Sequence, residues 1–174
     1  MTDIQADDIW RDMFVTGLKN AHAMEHEALA LMDRQIERAK NYQEIAAMLT
    51  QHRGETELQI QRLDSLLASL DEKPSGLKDA AMSMGGTMAA LGHSVAGDEV
   101  LKNAFANFAF ENFEAAAYQG LLILADRGGY STATDPLQET LDEEVRMARW
   151  VQDSLPMVID KHLELRRLGE DASR

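Results

Sequence analysis

The sequence predicts an all-α protein: a four-helix bundle with one long crossover connection and a shorter fifth helix at its C-terminal end. Three observations carry this. Apolar residues recur at intervals of three and four over long segments, the period of a helix with one buried face. The 174 residues include only three prolines, and β-branched runs are rare, so strands have little support. Finally, glutamates interrupt the apolar stripes of all four long segments, which places carboxylates inside the bundle.

The first helix is expected over 7–38, with Phe14, Leu18, Ala21, Glu25, Ala28 and Met32 on one face. The turn after it, near Ala39 to Asn41, contains neither Gly nor Pro. A second helix over 42–70 carries Ile45, Leu49, His52, Glu55, Gln59, Leu63, Leu66 and Leu70 inward. Pro74-Ser75-Gly76 ends it, and the next residues, with Met82, Met84 and Met88 around Gly85-Gly86, predict a short crossover helix over 76–91. Those methionines read as gap-filling thioethers. Asp98 is an N-cap for a third helix over 98–127, stopped by Gly128-Gly129. Its inner stripe is Leu101, Ala104, Phe108, Glu111, Ala115, Tyr118 and Leu122.

Asp135-Pro136 is a cap followed by proline at the first helical position and opens a fourth helix over 136–155. Leu137, Leu141, Glu144, Ala148, Val151 and Leu155 face inward there, with Glu143 as the neighbouring alternative to Glu144. Pro156 is expected to end it, leaving a fifth helix over 157–168 and a polar tail. Two helical hairpins joined by so long a link match a bundle with one crossover better than an up-down-up-down bundle. The length is that of a single domain.

Composition narrows the chemistry. The chain has no cysteine, which removes disulfides, thiolate ligands, iron-sulfur clusters and cysteine nucleophiles. Carboxylate, imidazole and amide oxygen remain, so any bound metal is hard or borderline. A net charge of −13 argues against a nucleic-acid partner, which demands clustered Lys and Arg. No secretory signal is legible and no stretch approaches about eighteen apolar residues, so the expectation is a soluble cytoplasmic protein with no membrane partner. No nucleophile constellation or phosphate-binding glycine loop appears; the Gly-Gly pairs are turn residues.

The glutamates are the informative feature. An ionised Glu in an apolar interior costs several kcal/mol unless a charge or cation compensates it. Glu25, Glu55, Glu111, Glu114 and Glu144 fall on inner faces of four helices, with Gln59 one turn beyond Glu55 as a weaker oxygen donor. A pair of iron or manganese ions needs four or more carboxylates to bridge and cap it, and this set supplies them. The competing reading pairs each buried Glu with Arg, Lys or a proton.

Taken in order, Ala23-Met24-Glu25, His52-Arg53-Gly54-Glu55-Thr56 with Gln59, Arg62 and Leu63, Glu111-Asn112-Phe113-Glu114 with Ala117-Tyr118, and Glu139-Thr140-Leu141-Asp142-Glu143-Glu144 resemble a known pattern. Over nearly all of the span from Asp8 to Asp160 the chain resembles the ferritin-like superfamily, and within it the bacterial stress-associated YciE/YciF family. The resemblance implies a rubrerythrin-like bundle, a dinuclear iron site with manganese as the other metal, a homodimer and a stress role. It also implies a reaction with iron, oxygen or peroxide, for which a cysteine-free chain would need a separate electron donor. One departure stands out: ferritin-like helices pair Glu with a His three or four residues later, whereas Leu58 and Gln59 follow Glu55, and Met147 and Ala148 follow Glu144.

The remaining candidates have plainer readings. His22 and His52 each lie one turn before a glutamate and are either ligand partners or polar residues at the bundle end. His26, His93 and His162 read as surface residues. Tyr118 is a core residue within reach of the carboxylates, and Glu27, Glu57 and Asp142 point to solvent.

Overall fold

The computed structural model describes residues 4–74 and 99–173. Among them it is an all-helical bundle of four long helices: α1 (Ile4–Arg38), α2 (Gln43–Ser69), α3 (Glu99–Gly128) and α4 (Thr134–Leu168), with a 3-10 turn at Ser131–Ala133 before α4. The expected crossover helix over 76–91, its methionines, His93 and the cap at Asp98 lie outside the described residues.

The α1 stripe buries Phe14, Leu18, Ala21, Met24, Ala28 and Met32 in the main core. Without Gly or Pro, the α1–α2 turn is held by side-chain anchoring instead. Tyr42 is buried at its corner, and its hydroxyl donates to the Ala172 carbonyl at 2.8 Å. The end of α2 is a Schellman closure: Asp71 N donates to Ala68 O at 3.1 Å and Glu72 N to Leu67 O at 2.9 Å, while Asp71 takes φ 57°, a place where glycine is usual. Gly129, at φ 76°, closes α3 in the same way, and Tyr130, just beyond, stacks on Phe14 at 4.6 Å.

Paired residues give the topology. Arg38 pairs with Glu99, Gln35 exchanges two amide hydrogen bonds with Asn107, and Tyr118 reaches Glu25, so α1 and α3 run antiparallel. Tyr42 meets Ala172 while Arg62 meets Thr140 and Glu143, so α2 and α4 also run antiparallel. Arg11, near the start of α1, donates to the Leu70 carbonyl just past α2. The end of α2 and the start of α3 therefore lie at opposite ends of the bundle, the arrangement a crossover requires.

Two details differ from the expectation. The last two predicted helices are one: α4 runs unbroken through Pro156. Proline removes one intrahelical hydrogen bond, but Val158 and Leu165 beyond it are buried with Ala39, Tyr42, Val100 and Ala172 in a second apolar cluster. That packing offsets a penalty of about 3 kcal/mol. The start of α4 is Thr134, with no side-chain cap, so Asp135 lies in the first turn and not at the cap.

Helix α3 buries Ala104, Glu111 and Tyr118 of its predicted stripe but departs from it at other apolar positions. Phe110 and Leu121 are buried, whereas Phe108 is 36% exposed. His162 is buried, its ring nitrogen 3.1 Å from the Ala172 carbonyl, and not at the surface.

Candidate metal centre

Midway along the bundle each helix turns acidic or polar side chains into the interior. Helix α1 brings Glu25, α2 brings His52 and Gln59, α3 brings Glu111, Glu114 and Tyr118, and α4 brings Glu144. All are buried, with Glu25, Gln59, Tyr118 and Glu144 wholly inaccessible. Helical spacing explains the convergence: Glu111, Glu114 and Tyr118 follow one another at three and four on α3, and His52 lies three residues after the core Leu49.

His52 is the hub. Its Nδ1 is 3.2 Å from Glu55 Oε2, and its Nε2 lies 3.1 Å from Glu111 Oε2 and 3.5 Å from Glu144 Oε2. One ligand-capable atom each from His52, Glu111 and Glu144 can be enclosed with all three within 4.8 Å of one another. Glu25 Oε1 accepts a 2.5 Å hydrogen bond from the Tyr118 hydroxyl. The Gln59 amide nitrogen donates to Glu144 Oε1 at 2.5 Å and to Glu143 Oε2 at 3.0 Å.

Five oxygens in this region are buried without a hydrogen-bond partner: Glu25 Oε2, Gln59 Oε1, Glu111 Oε2, Glu114 Oε1 and Glu144 Oε2. The Glu111 and Glu144 atoms face the His52 ring closely enough for charge attraction but without hydrogen-bond alignment. Buried oxygens ordinarily find partners, so a group of five is unusual.

Electrostatics record the same crowding. Burial, and then the neighbouring Glu144, hold the carboxyls of Glu25 and Glu114 well above the usual range. Burial also pushes Glu144 up, to about 7. For His52, burial favours the neutral ring, but Glu111, Glu144 and Glu55 together outweigh it and hold the imidazolium. Burial and the Glu25 carboxylate keep the Tyr118 hydroxyl protonated. Four carboxyl groups thus share one imidazolium, and acceptor capacity exceeds what the side chains supply. An oxygen-rich set with one imidazole suits a hard or borderline divalent cation.

Two predicted residues are placed differently from the rest. Glu55 is partly exposed, turned to His52 Nδ1 and lying 3.6 Å from Arg146; the imidazolium holds its carboxyl below the usual range. Glu143 is buried but belongs to another pair. Arg62 grips it through both guanidinium nitrogens, at 2.6 and 2.9 Å, and also meets Glu139 at 2.7 Å.

His22 stands apart from the cluster, 3.1 Å from Asp64 across α1 and α2 and edge-on to His26. Glu57 is exposed and paired with Arg53, and Asp142 is exposed. The residue that sequence reasoning undervalued is His52. Its signals were its place three residues after Leu49 on the inner stripe and one turn before Glu55.

Residues 10–164 match the family described as "Domain of unknown function (DUF892)". A Xanthomonas campestris pv. campestris protein of solved structure is similar over 91% of this chain and 99% of its own, at 25% identity and a TM-score of 0.77. YcfI of Rhodopseudomonas palustris, described as "a putative structural protein", is similar over 82% and 92% respectively, at 25% identity and a TM-score of 0.66. The E. coli stress protein YciF shares the fold over 84% of this chain and 94% of its own, at 24% identity and a TM-score of 0.72. With the match spanning nearly the whole bundle, the chain belongs to the DUF892 family.

Proposed function

We propose that this chain is a ferritin-like metal-binding protein that holds two iron ions, or two of manganese, among Glu25, His52, Glu111, Glu114 and Glu144. The observation that carries the reading is the set of five buried oxygens without a hydrogen bond, four of them carboxylate and two of those facing the His52 ring, contributed by all four helices. Left alone they are an expense to folding; around two divalent cations they become ligands.

Supporting residues order the ligands. Glu55 fixes the His52 ring through Nδ1, leaving Nε2 toward Glu111 and Glu144. Gln59 orients Glu144 by donation and could turn its free carbonyl oxygen inward as a weaker ligand. Tyr118 fixes Glu25. Arg62 neutralises Glu143, which keeps that carboxylate out of the set.

When bound, the metal supplies the redox chemistry by which iron, oxygen or peroxide is handled in a cytoplasmic stress response. Repeated turnover draws on a separate electron donor, because the 174 residues offer no cysteine for an iron site of their own. A homodimer is part of this reading. No described helix is long and apolar enough to cross a membrane.

A second reading has an observation of its own. His52 already provides an internal cation, which suits a non-catalytic dimeric stress protein with a vestigial site. Metal analysis of protein purified without chelator, followed by Fe(II) and Mn(II) titration, separates the two. Two ions per chain support the first reading, and none at saturating metal supports the second.

A further inference from the structure

One helical turn from the carboxylate cluster, toward the bundle end where α1 finishes and α3 begins, lies a cavity of about 30 Å³. Leu49, Asn107 and Met147 line it. They stand three residues before His52, four before Glu111 and three after Glu144, so on three helices the cavity is displaced from the cluster in the same direction. At the rise of an α-helix its near edge is about 5 Å from the cluster, while Glu99, Val100 and Ser154 on its far side lie about 15–18 Å away along their helices.

Eight of its fifteen lining residues are apolar, Ile45, Ala104, Val151 and Trp150 among them. Apart from Asn103 on the rim, the polar side chains that border it are spent on one another or on neighbouring groups. Gln35 and Asn107 exchange two hydrogen bonds of 2.9 and 2.8 Å, Arg38 pairs with Glu99, and the Ser154 hydroxyl donates to the Val151 carbonyl at 2.8 Å. Water or hydrogen peroxide needs two to four hydrogen-bond partners to settle in such a place, whereas a nonpolar cavity stays dry and accepts nonpolar guests. Room for one small molecule is present.

We propose that this cavity holds a neutral, nonpolar molecule of diatomic size, dioxygen in particular, on the bundle-end side of the carboxylate cluster. Its purpose as a waiting place for the oxidant rests on the metal reading above; its occupancy does not. The cavity favours dioxygen over peroxide as the small molecule brought to the cluster from within the bundle.

The test is xenon, a nonpolar probe of similar size, applied under pressure to crystals of the metal-free protein. Xenon is expected in the cavity of the wild type and lost from Ala104→Leu, which fills it from α3. Asn103→Leu fills it from the half-buried rim and serves if the first variant does not fold. In iron-loaded protein the filled variants should retain the wild-type iron content and react severalfold more slowly with dioxygen, with the reaction toward peroxide unchanged. Ordered water in place of xenon would overturn the proposal, as would a filled variant that meets dioxygen at the wild-type rate. If the wild type binds no iron, the metal reading fails on its own, and xenon still decides whether the cavity takes nonpolar guests.

Discussion

The Tyr118 hydroxyl donates to Glu25 Oε1 at 2.5 Å across the α1–α3 interface, and both residues are wholly buried. The bond satisfies one Glu25 oxygen and leaves Oε2 without a partner. It thereby sets which side of the carboxyl faces the cluster.

Tyr118→Phe should therefore destabilise the metal-free protein by about 1–3 kcal/mol, the cost of stranding a buried acceptor. At this chain length that is a fall in Tm of about 2–4 °C per kcal/mol. With metal added, the loss should shrink, because a cation held by Glu25 would supply the positive partner that the lost hydroxyl leaves missing. Equal losses with and without metal in calorimetric melts would separate Glu25 from the metal set.

Glu143 and Glu144 are adjacent, buried and opposite in expected effect. Glu144→Gln should lower the metal bound per chain, whereas Glu143→Gln should leave it unchanged. Glu25→Ala should lower it as well, and Glu57→Ala, on the exposed face, should not. Elemental analysis after dialysis reads all four. Loss of metal in Glu143→Gln to the same degree as in Glu144→Gln would refute the division between an arginine-paired and a metal-facing carboxylate. Arg62→Ala, which leaves the buried Glu143 with the Gln59 amide and no counter-charge, should cost about 3 kcal/mol in chemical denaturation.

Much of this was legible in the sequence, and the exceptions share a physical cause. Helices α1 and α2 have one apolar face, so their stripes give the phase, and Glu25 falls on the buried side as counted. Helix α3 carries Phe105, Phe108 and Phe113 on exposed positions and Phe110 on a buried one, so apolar spacing alone could not choose among its faces. Glu143 and Glu144 differ by one residue, and only the reach of Arg62 from α2 distinguishes them. His52 was hard to weigh because its importance lies in contacts to α3 and α4, which no spacing on α2 can show.

Pro156 is the clearest local misreading. Proline ordinarily ends a helix, yet the buried contacts of Val158, His162 and Leu165 carry α4 past it. Pro156→Ala should restore the missing hydrogen bond and raise stability by up to about 3 kcal/mol. A lower Tm in this variant would mean that the proline's geometry is itself needed to seat the last third of α4 against Tyr42.

The pH dependence of the metal-free protein follows from the signs of the shifts. Glu144 is raised from 4.5 to about 7, and Glu25 and Glu114 are raised as well, so the native state holds protons that the unfolded chain has released. A carboxyl with a raised native pKa stabilises the fold when protonated, and this contribution falls away as pH climbs from the unfolded value through the native one. His52 acts in the same direction: its raised native pKa makes folding progressively less favoured above about pH 6.5, where the unfolded ring loses its proton. Glu55 opposes them only in acid, where protonation removes its pairing with His52. The metal-free Tm should therefore decline between about pH 5 and about pH 8. Metal takes the place of the protons, so the metal-bound protein should keep its Tm across that range, and uptake at neutral pH should release protons detectable in weakly buffered solution. A metal-free Tm that rises from pH 5 to pH 8 would show that these carboxyls are ionised and compensated within the native bundle, and the cluster would then have no need of a cation.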